Sequence, residues 1–400
     1  MKRRAFFPSV LVAVGAFLAM TCVPAGDGVI PPSDRVYFPV GLAVTPVESG
    51  ESFLYVVSSD FDLQFNQGTV QSLDLARLRE VSRHPCLSDA DCSGSAQRCD
   101  ATASEENGGI PSFFCVDTSG KHAGKPCGPF GENNASERAV APGRCGPVHL
   151  TKPEDGGSTL IVDSVATSAF ATDVVLTRRP TTGDEADGQP YRMFVPVRGD
   201  SSLHFIDTDG QGRLHCGQPE SRGSCSEDYR VIDGEKRDYD EDEPDETTID
   251  VPVEPYGIAA DPSGRVIVVA HQAGGKASAF LNDWQKKPEL VYIEGSLPTN
   301  PIGVAAIPQP KIVTALGEQY QAGYLITFRN DASVHLLRFF DDGVLDGTPP
   351  EFGESRPFLF DVARTAITLN TSGTDSRGIV IDDDVREAAE EACGDDADGL

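Results

Sequence analysis

The sequence predicts an all-β fold, a β-propeller carrying a disulfide-rich insertion, and three observations predict it. A short unit recurs: "PVGLAVTP" from Pro39, "PYGIAADP" from Pro255 and "PIGVAAIP" from Pro301, with weaker copies "ATDVVLTR" from Ala171 and "SRGIVIDD" from Ser376. The chain is rich in turn formers, with 40 Gly and 29 Pro. Ten cysteines are present, six of them crowded into 86–145, and no CxxC occurs. The cleanest copy runs from Pro255 to Pro301. That matches the four-stranded, roughly 45-residue period of a propeller blade.

Each unit reads as four short strands. The heading run is followed by a β-branched stretch: "FLYVVSS" (53–59), "YRMFVPV" (191–197), "VIVVAHQ" (266–272) and "GYLITFR" (323–329). An alternating run comes next: "GTVQSLDL" (68–75), "SSLHFIDT" (201–208), "KASAFLND" (276–283) and "ASVHLLRF" (332–339). "STLIVDSV" (158–165), "TTIDVPV" (247–253) and "ELVYIEG" (289–295) are read as fourth strands. Period-two alternation bounded by Gly, Pro, Asp and Ser is the signature of half-buried strands. The Gly of each "PxG" permits close approach where innermost strands converge, though plain turn chemistry also accounts for it. Four blades and the start of a fifth at Ser376 are visible. With closed propellers needing four to eight blades, the expectation is an incomplete ring from a longer protein. Cys393, left without a partner in the count, points the same way. A sandwich of irregular strands is the rival fold.

The chain is organised as a targeting segment (1–21), a linker (22–34) and the propeller (35–400), with the cysteine-rich insertion at 81–150. Lys2, Arg3 and Arg4 precede the apolar run 5–20, which is short for a spanning helix. It ends in "LAMTC", which resembles the lipobox of bacterial lipoprotein signal peptides. That resemblance implies lipidation of Cys22 and, since Val23 follows it, an outer-membrane address. Ordinary secretion with cleavage after Ala25, giving a periplasmic or secreted protein, is the alternative. The formal net charge of −29 repels phosphate backbones and argues against nucleic-acid partners. Export places the cysteines in an oxidising compartment. Cys86, Cys92, Cys99, Cys115, Cys127, Cys145, Cys216 and Cys225 are therefore disulfide candidates. Fifteen pairings of the first six stay open, while Cys216 and Cys225 are close enough to join each other.

Catalytic motifs are wanting: the chain has no GxSxG, HExxH, Walker sequence or helix-opening GxGxxG. Its seven histidines lack metal-type spacing, and only Asp173 and Asp261 are ionisable in or beside the innermost strands. His271, ending a strand, is the histidine to inspect. "DTDGQG" (207–212) makes Asp207 and Asp209 calcium candidates, the one cofactor reading; an Asp-Gly turn is the ordinary one. "DDADG" (395–399) is similar. The acidic run 233–246 reads as a solvated loop, and "NAS" (134–136) and "NTS" (370–372) fit the glycosylation triplet.

The repeated "PxG" unit resembles exported seven-bladed propellers related to the YVTN-repeat and lactonase-like families. The stretch "RVYFPVGLAVTPVESGESFLYVVSSDFDLQFNQGTVQSLDL" resembles a group of bacterial outer-membrane-type lipoproteins. Two functions follow as expectations. One is a binding protein at the cell envelope, its partner a protein or glycan, held to the membrane through a lipid anchor only. The other is a lactonase-like hydrolase using the central tunnel. Strands one and three of a blade point the same way. Insertions at 177–190, 308–322, 76–157 and 209–246 are therefore expected to form one acidic, disulfide-braced crown, the surface on which the partner would dock.

Overall fold

The computed structural model describes residues 29–46, 53–75, 160–180, 190–217, 223–236, 247–308, 322–341, 357–366 and 378–381. It also describes the short strands 97–102, 112–117, 311–314 and 317–320 and positions 78, 88 and 89. The targeting segment, Cys22, Cys86, Cys92, Cys127, Cys145, Cys393 and the acidic residues 237–246 lie outside the described residues.

The described strands build four antiparallel four-stranded blades of a β-propeller. Blade 1 takes β1 (Pro39–Val44), β2 (Phe53–Ser58) and β3 (Gly68–Asp74). Between β3 and its fourth strand lies the cysteine-rich insertion, with the hairpin β4 (Gln97–Thr102) and β5 (Ser112–Asp117); β6 (Ile161–Thr167) completes the blade. Blade 2 takes β7 (Val175–Arg178), β8 (Tyr191–Val197) and β9 (Ser202–Thr208). Two fragments then pair with β9, namely β10 (Leu214–His215) and β11 (Arg230–Val231). A separate hairpin follows, of β12 (Asp233–Lys236) and β13 (Thr247–Asp250). Blade 3 is β14 (Pro255–Ala260), β15 (Val266–His271), β16 (Lys276–Leu281) and β17 (Glu289–Glu294). Blade 4 starts with β18 (Pro301–Ala306). The hairpin β19 (Lys311–Thr314) and β20 (Gly317–Tyr320) interrupts it before β21 (Gly323–Phe328), β22 (Ser333–Asp341) and β23 (Pro357–Ala366).

Two expectations need correcting. Residues 247–253 are not the fourth strand of blade 2. That strand is split into β10 and β11, which pair with Asp207–Thr208 and Leu203–His204 of β9. The acidic run therefore follows strand four rather than strand three, on a hairpin whose β12 lies along β17. With this, the single crown dissolves: 209–246 is not one loop, since 209–213 turns at the end of strand three, as 76–157 does, while 232–246 follows strand four at the opposite end.

Packing explains the recurring "PxG". A Cβ on Gly41 would sit 3.0 Å from Val174 at the head of β7, one on Gly257 would collide with the Ile302 carbonyl of β18, and one on Gly303 would lie 3.0 Å from Gly378. Each glycine lets its innermost strand press against the next blade's. Gly378 thus occupies the position of a fifth innermost strand. Apolar side chains fill the spaces between blades. Phe194, Leu203 and Phe205 meet Ile258, Ile267 and Val269 between blades 2 and 3, and Val268 and Ala279 meet Tyr324, Ile326 and Phe328 between blades 3 and 4.

Candidate binding face

Antiparallel pairing puts the links between strands one and two, and between three and four, at one end of each blade; the two-to-three links fall at the other. The four innermost strands lie side by side, so these ends define an upper and a lower face. The upper end carries the long links 75–160 of blade 1, 179–190 of blade 2, and 307–322 and 342–356 of blade 4, with the seven-residue 282–288 in blade 3 and tight turns at 209–213 and 261–265. Two-to-three links are tight turns at 198–201, 272–275 and 329–332, with 59–67 of blade 1 longer, and the connection 232–254 from blade 2 to blade 3, which carries the β12–β13 hairpin, also leaves and returns at the lower end.

On the upper face, between blades 2 and 3, Arg192 is the central group. Its Nε donates to Asp207 Oδ1 at 2.7 Å, Nη2 to Asp207 Oδ2 at 3.1 Å and Nη1 to Asn282 Oδ1 at 2.9 Å. The guanidinium lies between the rings of Phe205 and Trp284, 5.0 and 5.4 Å from their centroids. Nη1 also reaches the carbonyls of Asp283 and Lys286, both at 3.3 Å. A buried charge must be paired and hydrogen-bonded on all sides, and this one fastens the 282–288 link of blade 3 to blade 2. Arg179 adds its Nη2 to the Trp284 carbonyl.

This geometry employs both calcium candidates otherwise. Both oxygens of Asp207 face Arg192. Asp209 Oδ1 accepts from the backbone N–H of Gln211 and of Arg213, both at 2.8 Å, and its Oδ2 lies 3.4 Å from His215 Nε2. That is an Asp-Gly turn closed by its own carboxylate. Among the described residues no group of three His, Cys, Asp or Glu side chains is placed to hold a metal ion.

Cys216 and Cys225 form a disulfide, as their spacing suggests. Their loop leaves the middle of the split fourth strand and leans on blade 1: Cys225 N–H donates to the Ala166 carbonyl at 2.9 Å, and Ser224 exchanges hydrogen bonds with Gln67. It is a strap between blades 1 and 2. Cys99, opposite Cys115 in the β4–β5 ladder, is also disulfide-bonded.

Asp173 and Asp261 both prove to be backbone ligands. Asp173 Oδ1 accepts from Val174 N–H at 2.8 Å and Oδ2 from Ile258 N–H at 3.4 Å, which ties β7 to β14. Burial pushes its carboxyl up to about 6, against the lowering effect of those two hydrogen bonds. Asp261 closes the turn 261–266, accepting from Val266 N–H at 2.7 Å and from Ser263 N–H and Oγ.

Three buried histidines line the lower ends of the blades. His271 Nε2 meets Ser278 Oγ at 2.6 Å; burial drives its pKa down to about 4, so it is neutral in the fold. His335 lies between Asp361 Oδ2 (2.7 Å, to Nδ1) and Ser333 Oγ (3.0 Å, to Nε2). This has the outline of a nucleophile, base and carboxylate, but the ring is buried against Phe328, 4.9 Å between centroids. Blade 2 repeats the same Ser-x-His at Ser202–His204, with His204 Nε2 3.6 Å from Asp200 Oδ2. Burial raises the Asp200 pKa, but His204, Ser168 and Ser202 outweigh it and hold the carboxyl well below the usual carboxylate range. Ser-x-His opens strand three in both blades, but the bonding differs: His335 is held through both ring nitrogens, whereas neither nitrogen of the buried His204 has a hydrogen-bond partner.

A further repeated feature left no trace in composition. The residue before each innermost strand is non-glycine with positive φ: Phe38 (43°), Phe170 (64°), Glu254 (56°) and Asn300 (60°). Their carbonyls accept from the backbone N–H of Ser59, Arg198, Gln272 and Arg329 at 2.9–3.1 Å. All four stand at the lower ends of the innermost strands. Non-glycine residues in this region are strained, and no Gly or Asn run marks the positions in advance.

No family model matches the chain, and no curated protein matches it. Among solved structures it is similar to a functionally unknown protein from Desulfotomaculum acetoxidans, at 12% identity and TM-score 0.34, covering 84% of this chain and 73% of that one. It is similar to the periplasmic gluconolactonase of Pseudomonas aeruginosa at 14% identity and TM-score 0.28, covering 82% and 72%. It is also similar to the β-propeller domain of Cps50 (Swd1) from Myceliophteria thermophila, at 12% identity and TM-score 0.31, covering 86% and 77%.

Proposed function

We propose that this chain is a lipid-anchored, exported β-propeller acting as a binding module at the cell envelope, with a protein or glycan engaging its upper face. The observation that carries the reading is the division of labour among its polar groups. Asp173, Asp261, Asp207, Arg192, His271 and His335 are each engaged with partners inside the scaffold. Most of the long links, which a scaffold frees for recognition, leave from one end of the strands. The lactonase-like reading draws on a single observation, the raised pKa of Asp173 at the tunnel wall.

Two experiments test this. Cys22→Ser is expected to move the protein from the detergent phase to the aqueous phase of fractionated cells; retention in the detergent phase overturns the anchor. A photo-crosslinker at exposed Lys287 on the upper face is expected to yield a defined adduct in intact cells, and one at Asn330 on the lower face is not. The reverse pattern, or turnover of a lactone by the purified protein, overturns the binding reading.

A further inference from the structure

The lower rim of blade 1 differs from the other three. Its two-to-three link is a built loop of residues 59–67 where the others are tight turns. Asp60 Oδ1 accepts from Phe65 N–H at 2.9 Å and the Asp60 carbonyl accepts from Leu63 N–H at 3.1 Å, while Asp60 and Leu63 both hold positive φ. This braced loop turns Phe61 and Leu63 into solvent, each 66% exposed. The segment leading into β1 lies alongside. Asn66 N–H donates to the Val29 carbonyl, the Tyr37 and Phe65 rings are 4.9 Å apart, and Tyr37 Oη donates to the Gln67 carbonyl. Ile30 is 77% exposed, and Val29 and Phe38 are exposed beside it. Phe170 closes the cluster: its N–H donates to the Ser59 carbonyl and its ring meets Phe61 at 6.4 Å. The charges at the edge are Asp62 and the mutually paired Asp34 and Arg35.

Strained backbone that holds large apolar side chains in water destabilises the free protein, so the return lies outside it. We infer that Val29, Ile30, Phe38, Phe61 and Leu63 insert into the interfacial region of a lipid surface, seating the lower face of the propeller on the membrane and turning the upper face away. This rests on the anchor reading, because position 22 identifies the occupant. Cys22 is seven residues from Val29. A chain of that length spans at most about 25 Å, so a lipid-modified Cys22 keeps lipid within reach of this rim.

The test separates this from the anchor itself by using protein without an acyl chain. The exported Cys22→Ser chain is floated with neutral phosphatidylcholine vesicles. It is expected to co-float, with little effect of salt, and to bind anionic vesicles less because of its own negative charge. Phe61→Ser/Leu63→Ser should lower the partition at least about tenfold with an unchanged urea midpoint. In a Trp284→Phe background, Phe61→Trp should give emission that shifts to the blue on vesicle addition and is quenched by brominated lipid. Equal flotation of the double serine variant, or none by the parent, overturns the inference even where Cys22 proves acylated. So does a soluble protein that shields position 61 in lipid-free extract.

Discussion

Asp207→Ala should be among the most damaging single substitutions in this molecule. The side chains of Arg192 and Asp207 are 4% and 8% exposed and meet through two hydrogen bonds. Removing one partner of such a pair strands the other charge in a low-dielectric interior and costs about 3–5 kcal/mol. Replacing both by apolar residues of similar bulk is often close to neutral. Arg192→Met, Asp207→Ala and Asp207→Leu are therefore each expected to cost about 3–5 kcal/mol in urea unfolding. Arg192→Met/Asp207→Leu should recover most of that, a coupling of at least about 2 kcal/mol.

A second readout is built in. Trp284 is the only tryptophan, and its ring rests on the same guanidinium. In the double variant the scaffold recovers, but Asn282 and the Asp283 and Lys286 carbonyls still lack their donor. Circular dichroism should then report near-native stability while Trp284 emission shifts to the red and its acrylamide quenching rises. Additive single-variant costs, or Trp284 emission indifferent to Arg192→Met, would refute the clamp. Calcium supplies an independent check: if it raises the unfolding midpoint of the parent but not of Asp207→Ala, the carboxylate is a metal ligand and the ion-pair account fails.

The remaining predictions concern packing, cross-linking and pH. Gly257→Ala, whose Cβ would collide with the Ile302 carbonyl, should cost at least about 2 kcal/mol, while Gly295→Ala, with open space around it, should be near neutral; equal midpoints would deny the close approach of innermost strands. Cys216→Ser/Cys225→Ser opens a loop of sequence separation 9 and should lower stability by about 2.5–3 kcal/mol on the chain-entropy account, with reductant having no further effect at that strap. Asp173 has its pKa raised to about 6 from 3.8, so the folded state holds that proton more tightly than the unfolded chain and its contribution falls as pH rises from about 4 to 6. Asp173→Asn should remove this decline from a plot of urea midpoint against pH. His271, lowered to about 4 from 6.5, acts in the opposite sense. The unfolded chain takes up the proton first, so stability is lost as pH falls through that window, and His271→Asn should flatten the acid limb.

What could be read from the chain, and what could not, divides along the repeat. Strands one to three announce themselves by alternation, and strand one of blades 1, 3 and 4 also by the "PxG" glycine, because each must bury one face against a neighbour and approach it closely. The fourth strand of blade 2 did not, since two-residue fragments such as Leu214–His215 and Arg230–Val231 have no periodicity to detect. The more β-like "TTIDVPV" outcompetes them as a sequence pattern, although it belongs to the hairpin that follows strand four. Arg192, Asp207 and Asn282 were equally hidden, because their partnership crosses two blades and nothing local marks a residue destined for a charge on another sheet. The four positive-φ residues at the lower ends of the innermost strands carry Phe, Phe, Glu and Asn, so conformational preference could not expose them either. Yet the repeat offers its own control: four blades solve one packing problem, and whatever packing requires recurs. Ser-x-His opens strand three of blades 2 and 4, and so reads as structure. The braced loop 59–67 with its outward Phe61 and Leu63, and the guanidinium that pins 282–288, each occur once among the described blades. Scaffold needs alone do not account for a feature present in one blade of four, and function is best sought at these departures.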